Sequence, residues 1–238
     1  MYSRDFPSPR YRQLIDFYAL MHQGGVWRRK GDEVVKYQAF ETFRGRGVFS
    51  HAKTIRKLAN ATQSTTLLDY GSGKGEQYSD DIFQDGECIA NSLHEYWNVQ
   101  NITCFDPAIT DDQTLITKTY DGVIATNVLD LIPEEDLFWV IDLLFEAADK
   151  FVFVNVMDYS ARTFLPNGEN ARVTRRSSIW WRGMFAAAGR NRPDIKYCIA
   201  FGSRRPNNEG RLVNRTGYLH NCQNLDIKSE KSVIPPAE

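Results

Sequence analysis

Paired cysteines, long apolar runs and metal-spaced histidines are all missing from this 238-residue chain, and each absence removes a class of protein. Cys88, Cys104, Cys198 and Cys222 are scattered, with no C-x-x-C pair and no secretory leader ahead of them, so a reducing, cytoplasmic setting is expected rather than a disulfide scaffold. No apolar stretch approaches the roughly 20 residues a membrane-spanning helix needs, and Met1-Tyr2-Ser3-Arg4-Asp5 is not a signal peptide. No membrane partner is expected. His22, His51 and His220 lack metal-ligand spacing, and no metal is implied. What is present is 42% hydrophobic and 25% charged residues, the balance of a globular protein long enough for one α/β domain with additions.

The formal net charge of −1 conceals a segregation. Residues 76–149 carry seventeen acids against one base, Lys118, whereas 171–215 carry eleven bases against two acids and 1–75 carry thirteen bases against six acids. Either these are solvated faces of mixed sign, or the basic flanks grip an anionic acceptor.

The most informative stretch is Thr65-Thr66-Leu67-Leu68-Asp69-Tyr70-Gly71-Ser72-Gly73-Lys74-Gly75, which reads as a buried strand entering a glycine turn. Three alternate glycines remove every Cβ that would hold a ligand off the backbone. A magnesium-binding P-loop needs Ser or Thr after Gly-Lys, and Gly75 stands there. The dinucleotide fingerprint needs a third glycine at position 76, which is Glu76. A plain tight turn remains the competing reading until neighbouring segments are considered.

Those segments alternate strand and helix. Residues 1–10 read as an arm and Tyr11 to His22 as a helix with Leu14, Ile15, Tyr18 and Met21 on one face. Val26 to Arg46 mixes aromatics with bases and suggests a loop or lid. Ser50 is a candidate cap for a helix to Ala59. After Gly75 a helix is expected with Tyr78, Ile82 and Phe83 buried, stopped by Asp85-Gly86, then a second short helix over Cys88 to Tyr96. Ile102 to Phe105 is a strand ending in Asp106-Pro107. A carboxylate at that tip either holds the two ribose hydroxyls of an adenosine ligand or simply turns the chain before proline. Asp121 to Thr126 is the next strand, Pro133-Glu134-Glu135-Asp136 starts a helix, and Phe151 to Val156 is a central parallel strand. No third strand is evident over Ala108 to Thr119. Ser178 is a candidate cap for a helix with Trp180, Trp181 and Phe185, and 195–201 with 211–220 alternate as a late antiparallel pair.

Taken in order, LLDYGSGKG, CFDPA, YDGVIATNVLDLIPEEDL and FVFVNV resemble the class I S-adenosylmethionine (SAM) methyltransferases over about residues 60–156. Asn127 stands where that superfamily often has Asp, and Leu131 where it often has His. Leu165-Pro166-Asn167-Gly168-Glu169-Asn170-Ala171 with Trp180-Trp181 is similar to a little-characterised bacterial and phage subgroup, in which a histidine usually follows; here it is Arg172. The resemblance implies an α/β, Rossmann-like doubly wound, mostly parallel sheet with a late antiparallel strand pair and an N-terminal helical segment. It divides the chain into an N-terminal arm with helices (1–60), a SAM-binding domain (61–224) and a loose tail (225–238).

The same resemblance implies a cofactor, SAM, held by Asp69, Gly71, Ser72, Gly73, Lys74, Gly75, Asp106, Pro107, Asn127 and Val128. The amino-acid end would lie on the glycine turn with its carboxylate on backbone N–H groups, Asp69 facing the ammonium and Asn127 accepting through its carbonyl. Lys74 is either a counter-charge or a solvated lysine. Glu169, Tyr159 and His94 are the candidate catalytic bases if the acceptor must lose a proton. The tryptophan pair is core, lid or an aromatic platform. A small anionic acceptor, a metabolite or sugar derivative, is expected. Nucleic acid is the alternative acceptor, although no N-P-P-[YF] tetrad or Pro-Cys nucleophile is present, and a non-catalytic SAM-binding protein is the second alternative.

Overall fold

The computed structural model describes residues 2–223, 225–228 and 233. The chain starts with α1 (Pro9–Gly24), capped by Ser8, whose hydroxyl accepts from the Tyr11 N–H at 2.9 Å while Pro9 fills a position that needs no N–H. The helix therefore begins two residues earlier than expected. Next come β1 (Val26–Lys30) and β2 (Glu33–Tyr37), an antiparallel hairpin that replaces the expected loop. A 3-10 segment, Arg46–His51, leads into α2 (Ala52–Ala61). Ser50 sits inside that segment and does not cap the helix, His51 holding the cap position.

The remaining elements are β3 (Thr66–Tyr70), β4 (Ile82–Gln84), β5 (Glu87–Ala90), α3 (Leu93–Trp97), β6 (Asn101–Phe105), β7 (Tyr120–Thr126), α4 (Leu137–Glu146), β8 (Ala148–Met157), β9 (Thr163–Phe164), α5 (Ser178–Ala188), β10 (Lys196–Pro206) and β11 (Leu212–His220). Six strands form the main sheet in the order β11-β10-β8-β7-β3-β6, parallel except for β11. Period-two alternation sorts its side chains. Leu68, Tyr70, Val123, Ala125, Val152 and Val154 pack with α4 and α5, whereas Leu67, Ile124, Phe151 and Phe153 pack with α2 and α3. Each fully buried Leu, Val, Ile or Phe among them contributes about 1.5–3 kcal/mol. Both sheet faces are thus covered, a mixed α/β architecture consistent with a Rossmann-like doubly wound fold.

After β3 the chain goes to β6 on one side and then crosses to β7 on the other. The order reverses between β3 and β7, which opens a crevice at their carboxyl ends. Over that end sits a second layer, α1 with the three-stranded sheet β2-β1-β9, closed by Leu14, Met21, Val26, Leu165 and Ala171. Ser8 fastens it: its N–H and hydroxyl both donate to buried Asp136, at 2.9 and 2.5 Å, and Asp136 also accepts from Trp139 Nε1.

Two expected helices are corrected. After Gly75 there is one 3-10 turn, Glu76–Ser79, because Gln77 and Tyr78 turn inward to bond Asp69 rather than continue a helix. Asp85-Gly86, with φ of 51° and 91°, is not a helix stop but a hairpin turn joining β4 to β5. The expected second helix shortens to α3, capped by Ser92. Ser177, not Ser178, caps α5. Trp181 is fully buried in the α4–α5 core with Trp180 edge-on at 5.0 Å, so the pair is packing and not a platform. Within the expected tail, Leu225 and Ile227 pack on the α2 side and Val233 is buried there; Asn224, 229–232 and 234–238 lie outside the described residues. Among the described residues no helix is long and apolar enough to cross a membrane.

Candidate functional site

At the end of β3, Gly71 and Gly73 take φ of 77° and 60°, in the left-handed region. Neither could carry a side chain. A Cβ at Gly71 would lie 2.3 Å from Val128 Cγ2, and one at Gly73 2.3 Å from the Phe43 carbonyl oxygen. The turn's N–H groups are committed: Gly71 and Ser72 donate to Phe105 O at 2.6 and 3.2 Å, Gly73 to Asp106 Oδ2 at 3.0 Å, and Lys74 to Phe43 O at 2.8 Å. A ligand carboxylate on this turn would therefore have to use N–H groups other than these four, which bind the tip of β6 and a covering segment instead. Lys74 Nζ donates to the Ala39 carbonyl, and the residue does not line the cleft.

Asp106 follows β6, half-buried, and does two things at once. It turns the chain, accepting from Ala108 N–H at 3.0 Å through Oδ1, and it lines the crevice. His22 Nε2 lies 3.9 Å from Asp106 Oδ2, and the imidazole stacks on Phe43 at 4.1 Å. Burial holds the His22 pKa below the ordinary histidine value, more than Asp106 raises it, so the ring is neutral. Asn127, after β7, has φ 58°, a sparsely populated conformation for a residue with a side chain. Its N–H donates to Asn155 Oδ1 at 2.7 Å, which fixes the Asn155 amide so that Nδ2 donates back to Asn127 Oδ1 at 3.2 Å. Asn127 therefore turns Nδ2 to Gly47. Its Oδ1 keeps one further acceptor position beside that donor.

Asp69 lies beneath the turn and outside the crevice. Its Oδ2 accepts from Tyr78 at 2.7 Å and Gln77 at 3.1 Å, and burial pushes its pKa up to about 7. The direct ammonium contact expected of it has no path there.

No family model matches the chain, and no curated protein does. The site must be read from its own geometry. The crevice widens into a cleft of ≈ 690 Å³, within the roughly 300–1,000 Å³ of small-molecule sites. Its floor is Gly71, Ser72, Gly73, Asp106, Pro107, Asn127 and Val128. Its wall is the α1 face Tyr11, Leu14, Ile15, Tyr18 and His22, and its cover is Phe43 to Gly47. Gly75 does not line it.

The charge segregation along the sequence is cancelled in part in space. Basic flanks pair with the acidic middle as Arg44–Glu76 (2.6 Å), Arg46–Asp80 (3.3 Å), Arg172–Asp130 (2.5 Å) and Arg176–Glu134 (2.5 Å). Arg172, where a histidine was expected from the resemblance, is thereby a buried structural cation. It also donates to the Tyr159 carbonyl.

Of the three candidate bases, only Tyr159 lines the cleft, its ring faced by the guanidinium groups of Arg172 at 5.2 Å and Arg204 at 4.6 Å. Glu169 is exposed, paired with Arg10 and folded into its own turn by Asn167. His94 rides on α3, against Tyr78 and away from the cleft. Both are set aside as bases. The α1 face and Gly45–Gly47 were missed as site residues. The apolar face of α1 was legible, but nothing local told which surface it covers. Among the described residues no cluster of three metal-ligating side chains occurs.

Proposed function

We propose that this chain is a SAM-dependent methyltransferase acting on a small anionic acceptor. The reading rests on one juxtaposition: where the strand order reverses, the Asp106 carboxylate, the Gly71–Gly73 turn and Asn127 line a single cleft. Asp106 fits an adenosine ligand. Each of its oxygens accepts one protein N–H at 3.0 Å, and a carboxylate has about four acceptor positions, which leaves room for two ribose hydroxyls. His22 Nδ1, buried without a partner beside it, is a further polar atom for such a ligand to satisfy.

SAM, when bound, supplies a methyl on a sulfonium: the acceptor's lone pair forms the new bond as the carbon–sulfur bond breaks, and the thioether keeps the electron pair. The chain's task is alignment and exclusion of water. Held geometry of this kind removes about 7–11 kcal/mol from a bimolecular barrier. The α1 face supplies most of the apolar wall, Asn127 Nδ2 faces the cover at Gly47, and the Tyr159 phenol lines the same cleft as a hydrogen-bonding group for the acceptor. Arg204, 4.6 Å from the Tyr159 ring centre and without a carboxylate partner among the described residues, favours an anionic acceptor.

Transfer from methyl-labelled SAM to metabolite pools and to nucleic acid, run in parallel, tests this. Label in acidic small molecules is expected. Label in nucleic acid would move the proposal to that substrate, and SAM binding with no transfer would reduce it to a binding protein.

A further inference from the structure

Three arginines of the cleft, Arg28, Arg162 and Arg204, have no carboxylate partner among the described residues. Arg28 and Arg162, with Thr163, also line a side pocket of ≈ 270 Å³ that adds Arg29, Lys30 and Tyr37 and contains no acid. The two cavities share those three residues as a common border.

The strands place the groups. Arg28 on β1 pairs in register with Thr163 on β9, and the Arg29 N–H donates to the Arg162 carbonyl at 2.8 Å. Arg28 is held rigid: its Nε donates to Thr163 Oγ1 at 3.2 Å, and its guanidinium lies 5.3 Å from the Tyr37 ring centre. Both terminal nitrogens of the fork remain for a ligand. The acid of the cleft nearest to Arg28, Glu41, attracts it but forms no ion pair with it, and accepts from the Gln38 N–H at 2.7 Å. A half-buried guanidinium without a counter-ion is costly unless an anion completes it.

We infer that the side pocket binds a phosphate group, and that the methyl acceptor is a phosphorylated small molecule anchored there on Arg28 and Arg162. Arg28 and Arg162 with Thr163, in a pocket bordered by further bases and no acid, suit a dianion with three acceptor oxygens better than a carboxylate. A polynucleotide is disfavoured because the other flank bases at the cleft, Arg44, Arg46 and Arg172, are paired to acids, so no continuous basic stripe leads away from the pocket. The phosphate site stands on this geometry alone; its assignment to the acceptor rests on the methyltransferase reading.

Calorimetric titration of the full chain with inorganic pyrophosphate and with inorganic phosphate at low ionic strength tests the site. Saturable binding is expected, weakened about tenfold or more by Arg162→Ala and by Arg28→Gln, and unchanged by Arg211→Ala on the exposed turn after β10. Arg162 is exposed, so its substitution leaves folding intact; thermal unfolding checks the Arg28 variant. No saturable binding at about 10 mM, or binding that Arg162→Ala leaves intact, overturns the proposal. SAM is titrated separately. Pyrophosphate binding without SAM binding keeps the phosphate site and removes the methyltransferase reading, and the reverse removes only the phosphate site. Displacement of pyrophosphate by a single-stranded oligonucleotide at lower concentration overturns the small-molecule assignment.

Discussion

Replacing Asp69 by asparagine should change how stability responds to pH. The carboxyl is enclosed under the glycine turn, and burial raises its pKa from 3.8 to about 7 despite donation from Tyr78 and Gln77. Between those values the folded chain keeps a proton that the unfolded chain has released. Stability from this group is therefore full below pH 4 and is lost as pH rises to about 7, at about 1.4 kcal/mol per unit and on the order of 4 kcal/mol in all. His51 works the other way. Burial lowers its pKa from 6.5 to about 4, so its contribution is present above pH 6.5 and falls away in acid, on the order of 3 kcal/mol. The two oppose each other, so the wild-type profile should be flatter between pH 4 and 7 than that of Asp69→Asn, which has lost the Asp69 contribution. Urea unfolding of both proteins at pH 4, 5, 6, 7 and 8 isolates Asp69 as the difference between the curves. A difference constant within about 1 kcal/mol across that range refutes the reasoning.

Ser8→Ala removes the cap of α1 and its bond to Asp136, and should cost about 1–2 kcal/mol. Because α1 walls the cleft, amide exchange in residues 9–24 should quicken and ligand affinity should fall with it; protection equal to wild type would contradict the latch. Arg172→Ala strands the buried Asp130 carboxylate and should cost about 3–5 kcal/mol by urea unfolding, part of it recovered by adding Asp130→Asn. Additive losses in the double variant would show that the pair is not coupled.

How much of this was legible beforehand depended on whether a signal was local. The parallel strands were, since Leu67-Leu68, Val123-Ile124 and Phe151–Val156 are apolar runs that only a sheet covered on both faces can bury. The glycine turn and Asp106 were found because backbone approach demands particular residues. The hairpin at Asp85-Gly86 was also legible, for that dipeptide is a two-residue turn signature, but helical spacing of Tyr78, Ile82 and Phe83 was preferred to it. Other features were not local. The Asn127 amide is oriented only through Asn155, 28 residues away. The N–H groups of Gly71, Ser72 and Lys74 bond Phe105 and Phe43, and Arg44 and Arg176 meet acids that only the fold brings near. Tyr159 entered the cleft while Glu169 and His94 did not, because loop direction and helix face decide placement and composition does not.

The central claim is that Asp106 and the turn beside it hold SAM. Calorimetric titration of wild type and Asp106→Ala with SAM, with thermal unfolding to confirm that the variant folds, addresses it most directly. One saturable site is expected, weakened in the variant by about 1.5–3 kcal/mol, roughly 10- to 150-fold, for the lost bonds to a charged acceptor. No heat and no thermal shift with millimolar SAM, or an affinity unchanged by the substitution, would contradict the account.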